Sequence, residues 1–453
     1  MYNRLLLLPD LRLLLKAEDT SQVAEFCAAL HPAVVAEVLE GLETDEAWGV
    51  LDCCDEALQA EVFSFVSLAC QVALVESVKR ERLSRVIETM APDDRVDLLE
   101  RLDSDHVENL LPLIAQAERS DIRRLLSFPE DSAGSIMTTE YASLSEDVSV
   151  SVALERLRKQ APDRETIYYI YVLDTGRQLR GFVSLRDLIL ASPDVQIADI
   201  MERKVISVRV DDDQEEVAGQ LARYDFIAIP VVDDQNRLVG IVTYDDAMDI
   251  VQEEADEDAY RSSAVQPLED SFLSTPLVTL AWKRGGWLIV LLAAAVLTAL
   301  TLRTLKADLK QLDWMVLFIP LVLASGGNAG SQSATLVIRA LAVGRFDRKQ
   351  NLKVFVRELV MASLLGGSLA GLSFLAALPI VEQTIQAGVV GLTVFLVVAM
   401  GTVTGAMLPL GFKRLGLDPA LMSNPLIAAF VDVVGVVIYY GVARAALSDV
   451  AGG

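Results

Sequence analysis

Pro419-Ala-Leu-Met-Ser-Asn-Pro-Leu-Ile-Ala-Ala-Phe-Val-Asp-Val-Val-Gly-Val-Val-Ile-Tyr-Tyr-Gly-Val-Ala443 carries a single charge, Asp432, in 25 residues. A membrane-spanning helix needs roughly 20 predominantly apolar residues, so this stretch reads as a span with a carboxylate near its midplane. A charge at that depth is costly and by default marks an ion or proton path. Asn424, Ala428 and Asp432 are four apart and share one helix face. They offer an amide, a small residue that leaves backbone carbonyl accessible, and a carboxylate, which are the oxygen donors that hard cations prefer. Pro425 removes a backbone donor and is expected to free a carbonyl one turn back.

Four more stretches lack charge over membrane length: Gly285–Leu302, Trp314–Ile338, Leu359–Val381 and Gln383–Phe412. None of the five contains Lys, Arg or His, so no span offers Asp432 an ion-pair partner. The second holds Ser325-Gly-Gly-Asn-Ala-Gly-Ser-Gln-Ser-Ala-Thr335. Its glycines fit either close helix packing or a break that lines a water-filled path. Ten basic residues flank one side: Lys283, Arg284, Arg339, Arg345, Arg348, Lys349, Lys353, Arg357, Lys413 and Arg414. Four flank the other: Arg303, Lys306, Lys310 and Arg444. The positive-inside rule puts the richer side in the cytoplasm. The N-terminal region is then inside and the C-terminus outside.

Charge divides the 453-residue chain: residues 1–270 carry a net −31, and the rest +6, of the total −25. A strongly acidic surface repels nucleic acid and attracts cations. The apolar run at the N-terminus stops after four leucines at Pro9, short for a signal peptide, so the acidic part is expected to stay cytoplasmic. Cys27, Cys53, Cys54 and Cys70 have no metal-ligand spacing and read as reduced cytosolic thiols. No Walker loop, nucleophile elbow or metal-hydrolase motif is present, and the chain reads as a non-enzyme.

The acidic part contains a repeat. Leu179-Arg-Gly-Phe-Val-Ser-Leu-Arg-Asp187 aligns with Leu238-Val-Gly-Ile-Val-Thr-Tyr-Asp-Asp246, and Ile136-Met137 with Ile200-Met201, the surplus of the first copy falling near Asp163–Tyr171. Each copy reads strand, helix, strand, strand, helix. Before it, Leu11–Pro129 has the periodicity of stacked short helices in a superhelix. After it, eight carboxylates fall within 245–258, in a helix leading toward the first span. They repel one another unless a cation neutralises them.

Gly-Gly-Asn-x-Gly-x-Gln-Ser-Ala-Thr with Ile338-Arg-Ala-Leu341, and Asp418-Pro-Ala420 through Ser423-Asn-Pro425 to Asp432, resemble the signature of the MgtE family of magnesium channels. The repeat resembles a tandem CBS pair. The resemblance covers essentially the whole chain, more loosely at the N-terminus. It implies a multidomain fold: an all-α superhelical N-terminal domain (1–130), an α/β tandem CBS pair (131–198 and 199–252), a connecting helix (253–275), and an all-α membrane domain of five helices (276–453). It implies a homodimer in the inner membrane, with Asn328, Gln332, Asn424, Ala428 and Asp432 lining a Mg²⁺ pore on the dimer axis. It further implies cytoplasmic Mg²⁺ sensing by Asp93, Asp97, Asp213, Glu215, Asp225, Asp246, Asp249, Glu254, Glu257 and Asp258. In nucleotide-binding CBS pairs, residues matching Ser184, Arg186 and Asp187 contact ribose and phosphate, and Tyr169 is placed to stack on adenine. Many such pairs bind no nucleotide, so ATP stays an open cofactor beside Mg²⁺. A rival reading is a divalent-cation antiporter coupled to H⁺ or Na⁺, with Asp432 as the proton carrier.

Overall fold

The computed structural model describes residues 2–268, 272, 275–309, 313–342, 351–421 and 423–451. Lys310, Arg345, Arg348 and Lys349, four of the residues that set the orientation, lie outside the described residues. The chain forms two compact units, Met1–Val251 and Gln252–Gly453.

The first unit opens with ten short helices: α1 (Tyr2–Lys16), α2 (Thr20–Ala29), α3 (Pro32–Leu39), α4 (Thr44–Leu51) and α5 (Glu56–Ser64). They continue as α6 (Leu68–Ser77), α7 (Arg80–Thr89), α8 (Pro92–Glu100), α9 (Ser104–Leu110) and α10 (Gln116–Leu125). Local chemistry sets their starts. Asp19 accepts from the Gln22 amide at 3.1 Å and Asp55 from the Leu58 amide at 2.9 Å. Pro32 and Pro92 occupy first turns, where a missing N–H costs nothing. Helices this short are unstable alone, so each buries an apolar face in a shared core that includes Val35, Leu51, Phe63, Leu74, Ile87 and Leu99. Arg95 on α8 is 2% exposed. It bonds Glu118 on α10 at 2.8 Å and the Met90 carbonyl at the end of α7 at 2.7 Å.

The repeat folds as expected. The first copy is β1 (Tyr141–Leu144), α11 (Val150–Gln160), β2 (Thr166–Leu173), β3 (Leu179–Ser184) and α12 (Leu185–Leu190). After α13 (Ile197–Ile200), the second is β4 (Val208–Arg209), α14 (Gln214–Tyr224), β5 (Ala228–Val232), β6 (Leu238–Thr243) and α15 (Tyr244–Ser262). Each copy makes a three-stranded sheet with one parallel and one antiparallel pairing. The first copy's surplus lies where β2, with 8 residues, outruns β5, with 5.

The repeated glycines carry a swap. A Cβ on Gly181 would sit 2.7 Å from the Glu202 carbonyl oxygen, and one on Gly240 2.8 Å from that of Thr138. The segment leading into each copy therefore crosses the last strand of the other copy, as the Phe182–Glu202 and Thr138–Ile241 bridges record.

In the second unit, five helices are long and apolar enough to cross a membrane. They are α16 (Leu277–Leu309), α17 (Ile319–Ala342), α18 (Asn351–Ala377), α19 (Thr384–Arg414) and α20 (Asn424–Ala451). Gly326 and Gly330 on α17 meet Gly401 and Gly405 on α19. A Cβ on Gly401 would lie 2.5 Å from the Gly326 carbonyl oxygen. Small residues four apart let two backbones approach this closely.

One open alternative is decided and one sequence expectation changes. The glycine-rich stretch of the second span is unbroken helix, and its glycines serve close packing. Pro425 stands in the first turn of α20, where an amide has no intrahelical acceptor, so it frees no carbonyl within the helix. Asp432 is the ninth of 28 residues in that helix, about 12 Å along it. The connecting helix also differs from 253–275. It is the last helix of the CBS pair, α15, running unbroken from Tyr244 to Ser262. It ends in a turn with Ala264 at φ 58°, and residues 265–268, which hold Pro267, are not helical. Residues 269–271 and 273–274 lie outside the described residues.

Candidate cation sites

On α17, Asn328, Gln332 and Thr335 are exposed along one face of the helix. Helix α20 lies beside it. A Cβ on Gly327 would meet that of Ala428 at 3.3 Å, so the small residues at both positions bring the two backbones together. The Ser331 hydroxyl donates to the Asn424 carbonyl at 3.1 Å, and that of Thr335 to the Asn424 side-chain oxygen at 3.2 Å. Ser331, Gln332, Thr335, Leu336 and Asn424 line an open depression. Asn424, Ala428 and Asp432 are each partly exposed. Among the described residues no hydrogen bond or ion pair engages the Asp432 carboxylate. The membrane unit holds a second carboxylate below its ends: Glu358 on α18 accepts from the buried Ser333 hydroxyl. Sequence reading missed it because Glu358 falls just outside the span drawn from charge alone.

In the first unit, carboxylates crowd together. Burial first, then Asp246, Asp94 and Glu165, push the Asp93 carboxyl well above the usual range. One Asp93 oxygen is sealed from solvent and has no hydrogen-bond partner. Asp246 is pushed up to about 6 by burial and by Asp245 and Asp94, although the Thr243 hydroxyl donates to it. Glu165, which keeps part of its surface in water, is pushed up to about 7 by partial burial, then by Asp246, Asp245 and Glu140. Asp94 and Asp249 are raised by burial too, each with Asp245 as a neighbour. Like charges are thus gathered from the start of α8, the edge of β2 and the first turns of α15.

Asp93, Asp246 and Asp249 came from the sequence. Asp245 belongs to the 245–258 run already read as self-repelling; Asp94, Glu140 and Glu165 complete the group, and no spacing along the chain signals that they meet it. The donor set, all hard oxygen, suits Mg²⁺. Among the described residues no three His, Cys, Asp or Glu side chains are grouped so that they could hold a metal ion.

The remaining acidic residues lie elsewhere. Asp97 is exposed. Asp213 caps α14 by accepting from the Glu215 amide at 2.9 Å, while Asp225 ends that helix at φ 55°. Asp213 and Glu215 stand at one end of an 11-residue helix and Asp225 at the other, about 16 Å apart, too far to share one ion. Near the end of α15, in the second unit, Arg261 pairs with both Glu257 and Asp418. Asp258 beside them is raised by burial and then by Asp418. Glu254 is one turn earlier on the same helix.

In the CBS pair, Tyr169 lies opposite Ser184 in the β2–β3 register. Ser184 caps α12 and donates to Asp187 at 2.6 Å, while Arg186 is exposed beside it. Tyr169, Tyr171, Phe182, Val205, Phe226 and Pro230 line a small apolar cavity. Tyr169 meets Phe182 edge-on at 5.5 Å.

A helical domain, a CBS pair and five helices long and apolar enough to cross a membrane define a multi-pass membrane protein with a large acidic region. Residues 30–131 match the MgtE intracellular N domain, 133–194 and 197–253 the CBS domain, and 319–442 the divalent cation transporter domain of MgtE. The magnesium transporter MgtE of Thermus thermophilus is 38% identical over 441 residues, 96% of this chain and 97% of that protein. That of Bacillus subtilis is 35% identical over 375 residues, 83% of each chain. The solved cytosolic domain of the Mg²⁺ channel MgtE in complex with ATP is 39% identical. It covers 54% of this chain and 99% of its own, with a TM-score of 0.52. The chain belongs to the MgtE family.

Proposed function

We propose that this protein is a Mg²⁺ channel whose pore lies on the axis of a homodimer and whose acidic region closes it when cytoplasmic Mg²⁺ is high. The observation that carries the reading is the uncovered polar stripe of the membrane unit. Asn328 and Gln332 on α17, and on α20 Asp432, which has no hydrogen-bond or ion-pair partner among the described residues, are open to different degrees on the single chain. Polar and charged side chains in a spanning unit face a water path or another protein surface rather than lipid. A second copy supplies both, and its second Asp432 brings the site to the charge of a divalent ion. Asn424 and Ala428 complete the lining.

Gating follows from the crowded carboxylates. Asp93, Asp246 and Asp249 disfavour their own compact arrangement unless cations screen them, so Mg²⁺ shifts the population toward it. Asp97, Asp213, Glu215, Asp225, Glu254, Glu257 and Asp258 are assigned to further sites of the same sensing surface. The cavity at Tyr169, with Ser184, Arg186 and Asp187, is assigned to ATP. The working parts are a helical domain to 130, CBS domains at 131–198 and 199–252, α15 as the connector, and the membrane domain from 276. The membrane is the inner one, with the N-terminus cytoplasmic and the C-terminus outside, and the protein acts as a conduit rather than a catalyst.

Mg²⁺ flux in proteoliposomes, for wild type and Asp432→Ala at varied cytoplasmic Mg²⁺, tests this. Flux that needs Asp432 and falls as Mg²⁺ rises is expected. Flux indifferent to Asp432 would move the path elsewhere, and dependence on an H⁺ or Na⁺ gradient would replace the channel with an antiporter.

A further inference from the structure

We propose that Arg261 is the positioning residue that couples cation sensing to the pore, by holding Asp418 in the turn that leads into α20. The inference rests on the proposed closure by cytoplasmic Mg²⁺ and names the contact that carries it. Helix α15 runs over 19 residues, about 27 Å, with Asp245, Asp246 and Asp249 in its first two turns and Arg261 in its last. It holds neither Pro nor Gly, the usual causes of a kink. A straight helix moves as one body, so a shift at its start is delivered at its end. There the Arg261 guanidinium donates to one Asp418 oxygen and also pairs with Glu257, one turn back on its own helix. The other Asp418 oxygen accepts from the Ala420 amide at 2.7 Å. Asp418 therefore shapes the turn Pro419–Leu421 with one oxygen and receives α15 with the other.

Freely exposed ion pairs contribute little. This one has a further partner at each end, and its side chains are only 36% and 28% exposed. Ala420 and Ser423 are wholly buried and anchor the chain that follows Asp418, and Asn424 is then the first residue of α20. Asn424 accepts the hydroxyls of Ser331 and Thr335 from α17. A pull on Asp418 thus reaches the head of α20 where that helix meets α17. The segment after α15 is tied elsewhere. Lys283 on α16 donates to the Pro267 carbonyl at 2.7 Å, and the Lys283 carbonyl accepts from the Gln266 amide at 3.2 Å. Arg261 is therefore the tie between α15 and the turn before α20.

The test is Mg²⁺ flux of the full chain in proteoliposomes at varied cytoplasmic Mg²⁺, for wild type, Arg261→Gln, Asp418→Asn, the double variant and Arg261→Lys. Each single amide variant is expected to raise the Mg²⁺ concentration that halves flux by at least about fivefold, the lower end of ordinary allosteric coupling. The double variant should raise it no further than the larger single effect, because both break one contact. Arg261→Lys, which keeps the charge, should recover most of the response. Closure of Arg261→Gln at the wild-type concentration, a double variant whose shift is the product of the two singles, or Arg261→Lys no better than Arg261→Gln would each overturn the proposal. For a variant that gives no flux, wild type supplies a second reading: hydrogen exchange of peptides covering 418–424 in detergent. Mg²⁺ is expected to slow exchange there, and exchange indifferent to Mg²⁺ would also overturn the proposal. Wild-type flux that ignores cytoplasmic Mg²⁺ would instead sink the gating itself, and the exchange result would then decide on the contact alone.

Discussion

Asp93 and Asp246, 153 positions apart, face one another as like charges: one Asp93 oxygen is cut off from water and from any donor, while Asp246 is held by the Thr243 hydroxyl. Replacing Asp246 with Asn keeps the shape and removes the repulsion. In Mg²⁺-free buffer D246N should stabilise the first unit by about 1–2 kcal/mol, allowing for screening at a partly exposed site. Added Mg²⁺ should stabilise it less than wild type. Thermal unfolding of the full chain with and without Mg²⁺ measures both. A variant less stable than wild type without Mg²⁺ would mean that the pair does not repel.

The same crowding sets a pH dependence. Asp246 and Glu165 titrate near 6 and 7 in the folded chain, against about 4 when unfolded. The folded state therefore binds more protons in that window, and stability falls as pH rises from about 4 through 7. Without Mg²⁺, protease resistance of the first unit should be higher at pH 5.5 than at pH 7.5, and Mg²⁺ should narrow the difference. Mg²⁺ binding near pH 6 should also release protons, readable in weak buffer. Resistance that grows with pH would contradict the cluster.

Asp246, Asp249 and Glu257 replaced together by their amides should leave a protein whose flux no longer responds to cytoplasmic Mg²⁺. The proteoliposome assay reads this directly. A response at the wild-type concentration would place sensing in other residues.

The α17–α19 crossing leaves no room at Gly401. Gly401→Ala should cost about 1–3 kcal/mol through overpacking against Gly326. Gly367, with open space around it, should accept Ala with little change. Thermal midpoints in detergent compare the two, and equal effects would argue against the packing seen here.

Breaking the buried guanidinium contact should also be costly. Arg95→Met strands the buried Met90 carbonyl, while Glu118, 41% exposed, turns to water, for an expected loss of about 1–3 kcal/mol. Chemical denaturation followed by tryptophan fluorescence would read it through Trp48, buried in the same core.

The sequence by itself determined the five spans, because uncharged length is a property of consecutive residues and hydrocarbon thickness fixes how much is needed. It determined the CBS repeat, because one motif recurs with its glycine and its Ser/Thr–Asp cap, and the stacked N-terminal helices, because caps and apolar periodicity are local. Only tertiary structure decided what those parts do to each other. The second-span glycines could have been a break or a packing face, and the backbone of α19 decided for packing. Pro425 could have opened a helix, but its place in the first turn left nothing to open. Asp213 and Asp225 turned out to be the two ends of one helix. Asp94 and Glu165 joined Asp93 and Asp246 with no signal in spacing, because the repulsion between them depends on through-space distance, which only the packing of α8, β2 and α15 sets.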